Sequence, residues 1–186
     1  LIDYGIRTVI DLRTPSETEQ APNVFAGSPE VAYYHQNAYG DGPPPEVADP
    51  SESPGAAQRL LNIYVAMLDH KQPQVRRTLA TLAAPGVLPA VVHCASGKDR
   101  AGRIAALVLG IAGVPADTIA EDYALSGRYL FSRYIDANGA AEVEASGYIW
   151  QDYQREYCPP EVMLSTLEYL EERYGGVEGY VVGGGL

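Results

Sequence analysis

Residues 87 to 112 read VLPAVVHCASGKDRAGRIAALVLGIA, and the fold is decided here. The opening run, Val87-Leu88-Pro89-Ala90-Val91-Val92, is short, apolar and partly β-branched, which predicts a buried parallel strand. From Ile104 to Ala112 the chain is apolar almost throughout and free of proline until Pro115, which predicts a core helix. Between them lie Cys94 and Arg100, separated by five residues, on a turn containing Gly97. A loop from the end of a parallel strand to the start of a helix aims its backbone N–H groups at one spot. There the unpaired donors and the helix dipole favour an anion. The same donors and cations favour the thiolate of a cysteine at the base of the loop. Arg100 adds a planar fork matched to two oxygens of one phosphate.

Working outward, Ile6 to Leu12 reads as a strand entering the turn Thr14-Pro15-Ser16-Glu17, where Ser16 is expected to cap a short helix. Val31 to His35 suits a second strand, and the glycine- and proline-rich residues 40 to 55 suit an exposed loop. Helices are predicted over Ala56 to Leu68, Val75 to Ala83, Asp117 to Leu130 and Pro160 to about Arg173, the last stopped by Gly175-Gly176. Asp117 sits where it complements its helix N-terminus. Residues 131 to 159 are aromatic, acidic and only weakly patterned as helix. This order of elements predicts an α/β fold with a central, mostly parallel sheet flanked by helices. Ligands in such sheets sit beyond the carboxyl ends of the strands, where the Cys94 loop falls.

A chain of 186 residues, 46% hydrophobic, is expected to form one domain, residues 1–186. The formal net charge of −11 argues against a nucleic-acid partner and against stable association with an anionic membrane. Two cysteines, Cys94 and Cys158, give no disulfide framework, and a nucleophilic Cys94 must stay reduced, so a cytoplasmic location is expected. The chain begins at Leu1, so upstream residues are expected to be missing, and a lost secretion signal keeps an extracellular location open.

For breaking a phosphate ester, each residue type has a use. The Cys94 thiolate attacks phosphorus and forms a cysteinyl-phosphate. Arg100 and the backbone N–H groups of Ala95, Ser96, Gly97, Lys98, Asp99 and Arg100 hold the equatorial oxygens. Gly97 permits backbone dihedrals closed to other residues. His93 is placed to hydrogen-bond and orient the loop. The leaving oxygen needs a proton, and Asp99 is the nearest carboxylic acid in sequence. Beside Lys98 and Arg100 it would ordinarily be ionised, so the bound phosphate dianion must raise its pKa.

The segment His93-Cys94-Ala95-Ser96-Gly97-Lys98-Asp99-Arg100 resembles the phosphate loop, His-Cys-x-x-Gly-x-x-Arg, of cysteine-dependent protein tyrosine phosphatases. Its Gly-Lys-Asp-Arg string is similar to the bacterial and fungal branch of tyrosine and dual-specificity phosphatases. Residues 5 to 13, residues 174 to 180 and, more weakly, residues 122 to 126 resemble that branch as well. The resemblance implies a phosphatase-type α/β fold without metal or cofactor, Cys94 as nucleophile, Arg100 as phosphate clamp and Asp99 as general acid. It also implies phosphotyrosine, phosphoserine/threonine or phosphoinositide substrates, and a helical insertion or lid over residues 127–159. Two features depart from the pattern. Ala101 stands where the family usually has a hydroxyl that helps the cysteine sulfur leave, so the second chemical step is expected to be slow. No Trp-Pro-Asp loop exists, since Trp150 is the only tryptophan; Asp99 gains weight and Asp11 is the fallback acid.

Blander readings stand beside these. Asp11 and Arg13 pair with each other or with Glu17 to brace a turn. Asp69 is solvated, Cys158 is a small buried residue rather than a resolving thiol, and Tyr33, Tyr34 and Tyr39 pack rather than grip a substrate. Lys98 either meets a second phosphate or adds charge near the first. His35 and His70 lack metal-ligand spacing. The competing functions are a phosphate-recognition module without turnover and a rhodanese-like sulfurtransferase. The nucleotide-binding P-loop pattern does not fit, because Gly97-Lys98 is followed by Asp99.

Overall fold

The structure is a computed structural model that describes residues 1–42 and 55–183. Most of the loop expected over residues 40 to 55 lies outside the described residues. Three parallel strands form a small open sheet in the order β2-β1-β3, with β1 (Thr8–Asp11), β2 (Ala32–His35) and β3 (Ala90–His93). Val9 pairs with Tyr33 on one side and Val91 on the other, and Asp11 with His35 and His93. Every residue of β1 is buried, as the central position of that strand requires. β3 starts at Ala90 rather than Val87 because Pro89 has no N–H for the ladder; its carbonyl accepts from Arg7 N at 2.8 Å.

The strand faces set up the site. Ile10 and Leu12 enter the main core, where they meet Leu68, Leu79, Ile104 and Leu107. Alternation along β1 sends Val9 and Asp11 to the other face, and Val9 and Val91 line the cavity that holds Cys94. α1 (Pro15–Gln20) follows β1, and its N-cap is Thr14 rather than Ser16, since Pro15 takes the first helical position. Thr14 and Glu17 close a capping box: Glu17 N donates to Thr14 Oγ1 at 3.2 Å, and Thr14 N donates to Glu17 Oε2 at 2.8 Å.

α2 (Ala56–His70) and α3 (Gln72–Ala83) connect β2 to β3, close to the expected bounds. α4 (Asp99–Ile111) begins five residues ahead of the expected start at Ile104, so Asp99 and Arg100, expected on the loop, are already helical. The single helix expected over 117–130 is two, α5 (Ala116–Ala124) and α6 (Ser126–Asn138), separated at Leu125.

Residues expected to be irregular form the rest of α6, α7 (Ala140–Ser146) and α8 (Trp150–Tyr157). Phe131, Tyr134, Tyr148 and Tyr153 join these helices through ring contacts of 5.1–6.2 Å between centroids. α9 (Pro160–Tyr174) ends at Gly175, whose φ of 73° makes the left-handed cap that glycine adopts readily. Beyond it lies an element with no sequence signal, α10 (Gly176–Gly183), which buries Tyr180 and Val181 in the core. Asp69, expected to be solvated, instead accepts hydrogen bonds from Tyr169 and Tyr174 and ties α2 to the end of α9.

Candidate active site

β3 delivers Cys94 to the base of the loop, 7% exposed and packed against the Ile10–Leu12 core. Residues 95 to 98 then turn into α4, and Gly97 holds a φ of +74°, which a side chain would strain. Among the described residues, no protein acceptor takes the backbone N–H groups of residues 95 to 101. The next, Gly102 N, donates to Lys98 O at 2.8 Å. A cavity of about 720 Å³ opens in front, lined on the loop side by Cys94, Ala95, Ser96 and Gly97, and facing them by Glu17, Phe25 and Arg133. Unclaimed donors at a helix N-terminus beside a thiol form an anion cradle.

His93 supports this loop from behind. Asn23 Oδ1 accepts from Phe25 N at 2.9 Å, which fixes the Asn23 amide so that its Nδ2 faces His93 Nε2 at 2.8 Å and Asp11 Oδ2 at 3.2 Å. His93 Nε2 is therefore an acceptor, and the proton sits on Nδ1, which donates to Cys94 O at 3.1 Å. Asp11 anchors the arrangement at 0% exposure. It accepts from Arg13 Nη2 at 2.6 Å, Arg13 Nε at 2.9 Å and Tyr33 OH at 3.0 Å. Burial pushes the Asp11 carboxyl up, but the Arg13 hydrogen bonds outweigh it and hold the group far below the usual carboxylate range. Gripped by Arg13, Tyr33 and Asn23, Asp11 does not line the cavity, and its contacts are those of a support for the loop.

Arg100 is bidentate to Glu17, with Nη1 to Oε2 at 2.6 Å and Nη2 to Oε1 at 2.7 Å, and its guanidinium lies 5.6 Å from the Tyr39 ring centroid. Glu17 thus braces the clamp and not Arg13, and Tyr39 packs against the same guanidinium. The Arg100 hydrogen bonds lower the Glu17 carboxyl to about 2 against burial, which raises it. A carboxyl depressed in the folded state stabilises the fold above its unfolded value of 4.5, and that contribution fades as the pH falls towards 2. In urea titrations between pH 4.5 and 2, wild type is therefore expected to lose stability more steeply than Glu17→Gln. Equal slopes would remove the pair from the account.

Lys98 does not reach for a ligand. Its Nζ donates to Tyr157 O at 2.6 Å and lies 3.3 Å from Asp99 Oδ1, so only its backbone N–H belongs to the cradle. Asp99 Oδ1 also accepts from Tyr64 OH at 2.7 Å. Cys158 is fully buried with Tyr64, Tyr123 and Met163, in a different core cluster from Cys94, which matches the blander expectation for it. Burial pushes its thiol up to about 11, which makes it unreactive. Ala101 packs towards the core and brings no hydroxyl. Tyr34 is exposed on β2. Glu17, Asn23, Tyr64 and Arg133 are the site residues that sequence reasoning missed; of these only Glu17 carried a local signal, the capping box.

Strand, cysteine loop and arginine-bearing helix define a thiol-centred anion site on a small parallel α/β scaffold. The whole chain, residues 1–186, matches the model of the tyrosine phosphatase family, and the protein belongs to that family. It is 32% identical over 97% of its length to a tyrosine-protein phosphatase of Nostoc commune. It is 28% identical over 58% of its length to the triple specificity protein phosphatase PtpB of Mycobacterium tuberculosis. The chain spans 62% and 42% of the lengths of these two relatives. No helix among the described residues is long and apolar enough to cross a membrane.

Proposed function

We propose that the protein is a cysteine-dependent phosphomonoester hydrolase acting on phosphotyrosine. The observation that carries this reading is the Cys94 thiol at the foot of unclaimed backbone donors, with the Arg100 guanidinium near enough to interact electrostatically with it while its fork is held by Glu17. The thiolate attacks phosphorus, forming an S–P bond as the ester P–O bond breaks, and Asp99 gives its proton to the departing oxygen. Water then attacks the cysteinyl-phosphate, forming a P–O bond as the S–P bond breaks and giving a proton to Asp99, which releases phosphate and restores both the thiolate and the acid. Arg100 and the N–H groups of residues 95 to 100 hold the equatorial oxygens through both steps. With Ala101 next to the arginine, no hydroxyl assists sulfur departure, and hydrolysis of the intermediate is the slow step.

Specificity extends by the same reading to phosphoserine, phosphothreonine and phosphoinositides; that the mycobacterial relative is named a triple specificity phosphatase supports more than one substrate class. The engaged amine of Lys98 leaves Arg133, on the cavity wall, as the cation for a second anionic group. Helices α6 to α8, which carry it, act as a lid in a single catalytic domain. A nucleophilic thiol of this kind works in a reducing compartment, which favours the cytoplasm.

The test is hydrolysis of a phosphotyrosine peptide and a phosphoinositide panel, with pre-steady-state kinetics. A burst of leaving group followed by slower turnover is expected. Asp99→Asn is expected to slow esters of poor leaving groups by about 10²-fold or more while sparing activated ones. Phosphopeptide binding without turnover would favour the recognition module, and sulfur transfer from thiosulfate would favour the sulfurtransferase.

A further inference from the structure

Tyr64, on α2, is fully buried and does not line the cavity in front of Cys94, yet its hydroxyl donates to Asp99 Oδ1 at 2.7 Å. Since that proton points to Asp99, the 2.8 Å contact with Tyr123 OH has Tyr123 as donor. The Tyr64 ring is held on two sides. The Arg103 guanidinium lies 4.7 Å from its centroid, and the Tyr123 ring packs against it edge-on at 6.1 Å and 84°. Held in this way, the phenol has one orientation, and it aims at the carboxylate.

We propose that Tyr64 is a positioning residue that fixes the rotamer of the Asp99 carboxyl, with Tyr123 and Arg103 holding Tyr64 in place. The inference rests on Asp99 being the proton donor. A hydrogen bond from a buried phenol that is itself held on two sides restricts the carboxyl to one orientation, so its proton is delivered from a fixed position. Other groups bear on Asp99 from each neighbouring element. Lys98 Nζ is 3.3 Å away on its own turn, and Arg103 lies one turn further along α4. Tyr123 faces it from α5, Tyr153 from α8 and Cys158 from the end of α8. Lys98 makes its shorter bond to Tyr157 O, which leaves the Tyr64 phenol as the closest donor to this carboxyl.

The experiment compares kcat/KM against pH for wild type and Tyr64→Phe, with p-nitrophenyl phosphate and with phenyl phosphate. kcat/KM reports formation of the phospho-enzyme and is blind to the slow second step. The phenylalanine keeps the ring packing and removes only the hydroxyl. With phenyl phosphate, kcat/KM of Tyr64→Phe is expected to fall by roughly 10-fold across the profile, because the proton donor is no longer held in place. With p-nitrophenyl phosphate, which needs little protonation, the two profiles are expected to coincide. Tyr123→Phe, which loosens the phenol without removing it, is expected to lower kcat/KM for phenyl phosphate by less. An unchanged kcat/KM for phenyl phosphate in Tyr64→Phe, or an equal loss on p-nitrophenyl phosphate, with Asp99→Asn still slowing phenyl phosphate, would overturn this inference and leave the acid assignment standing. If Asp99→Asn left phenyl phosphate untouched, the acid assignment itself would fall, and this inference with it.

Discussion

Cys94→Ser is expected to lose at least about 10⁴-fold in kcat while still binding inorganic phosphate. The serine hydroxyl is nearly isosteric, so the turn at Gly97 and the N–H groups of residues 95 to 101 keep their places. What disappears is the sulfur nucleophile: an aliphatic alcohol is a far weaker nucleophile than a cysteine sulfur and forms no comparable phospho-enzyme. Turnover on a phosphotyrosine peptide and phosphate affinity by calorimetry separate the two effects. Residual turnover above about one per cent of wild type would mean that the reaction does not pass through Cys94, since loss of a covalent nucleophile leaves far less.

Arg100→Lys is expected to lower kcat/KM by roughly 10² to 10³-fold, most of it in kcat. An ammonium is a point charge and cannot span two oxygens of the transferring group as the planar fork does. The same change undoes the bidentate grip on Glu17, whose oxygens lie 2.6 and 2.7 Å from the two guanidinium nitrogens. α1 is then held to the loop less firmly, and a lower unfolding midpoint should accompany the kinetic loss. Steady-state kinetics with saturating substrate check the assignment. A rise in KM alone, with kcat intact, would mean that Arg100 binds the ground state and the transition state equally.

The contrast between what the chain displays locally and what it hides follows from distance along it. Cys94, Gly97 and Arg100 act through one loop, and a strand before and a helix after suffice to recognise it. The partners that tune this loop come from elsewhere: Glu17 reaches Arg100 across 83 residues, Asn23 reaches His93 across 70, and Tyr64 reaches Asp99 across 35. No spacing rule reports such contacts. Helices α6 to α8 are obscured by ring-rich packing, in which tyrosines serve both apolar and polar faces and blur the 3.6-residue period. α10 runs against propensity, with Gly176, Gly179 and Gly183 in eight residues, and is held by docking: Tyr180 OH donates to Leu68 O at 2.9 Å from within the core. The cap of α1 falls two positions before Ser16 because Pro15 pre-empts the start of the helix.

Arg103 lies behind the loop at 6% exposure, with Nη1 buried and, among the described residues, without a hydrogen-bond partner. Burial pushes its proton affinity down, and the Tyr64 ring face is a weaker counterpart than a carboxylate. An unsatisfied group of this kind costs roughly 1–3 kcal/mol, a sizeable fraction of the stability of an ordinary domain. The fold is thus less robust than its backbone would allow, and the shortfall is concentrated at one side chain in the wall of the catalytic loop. An apolar replacement there would trade reactivity for heat tolerance.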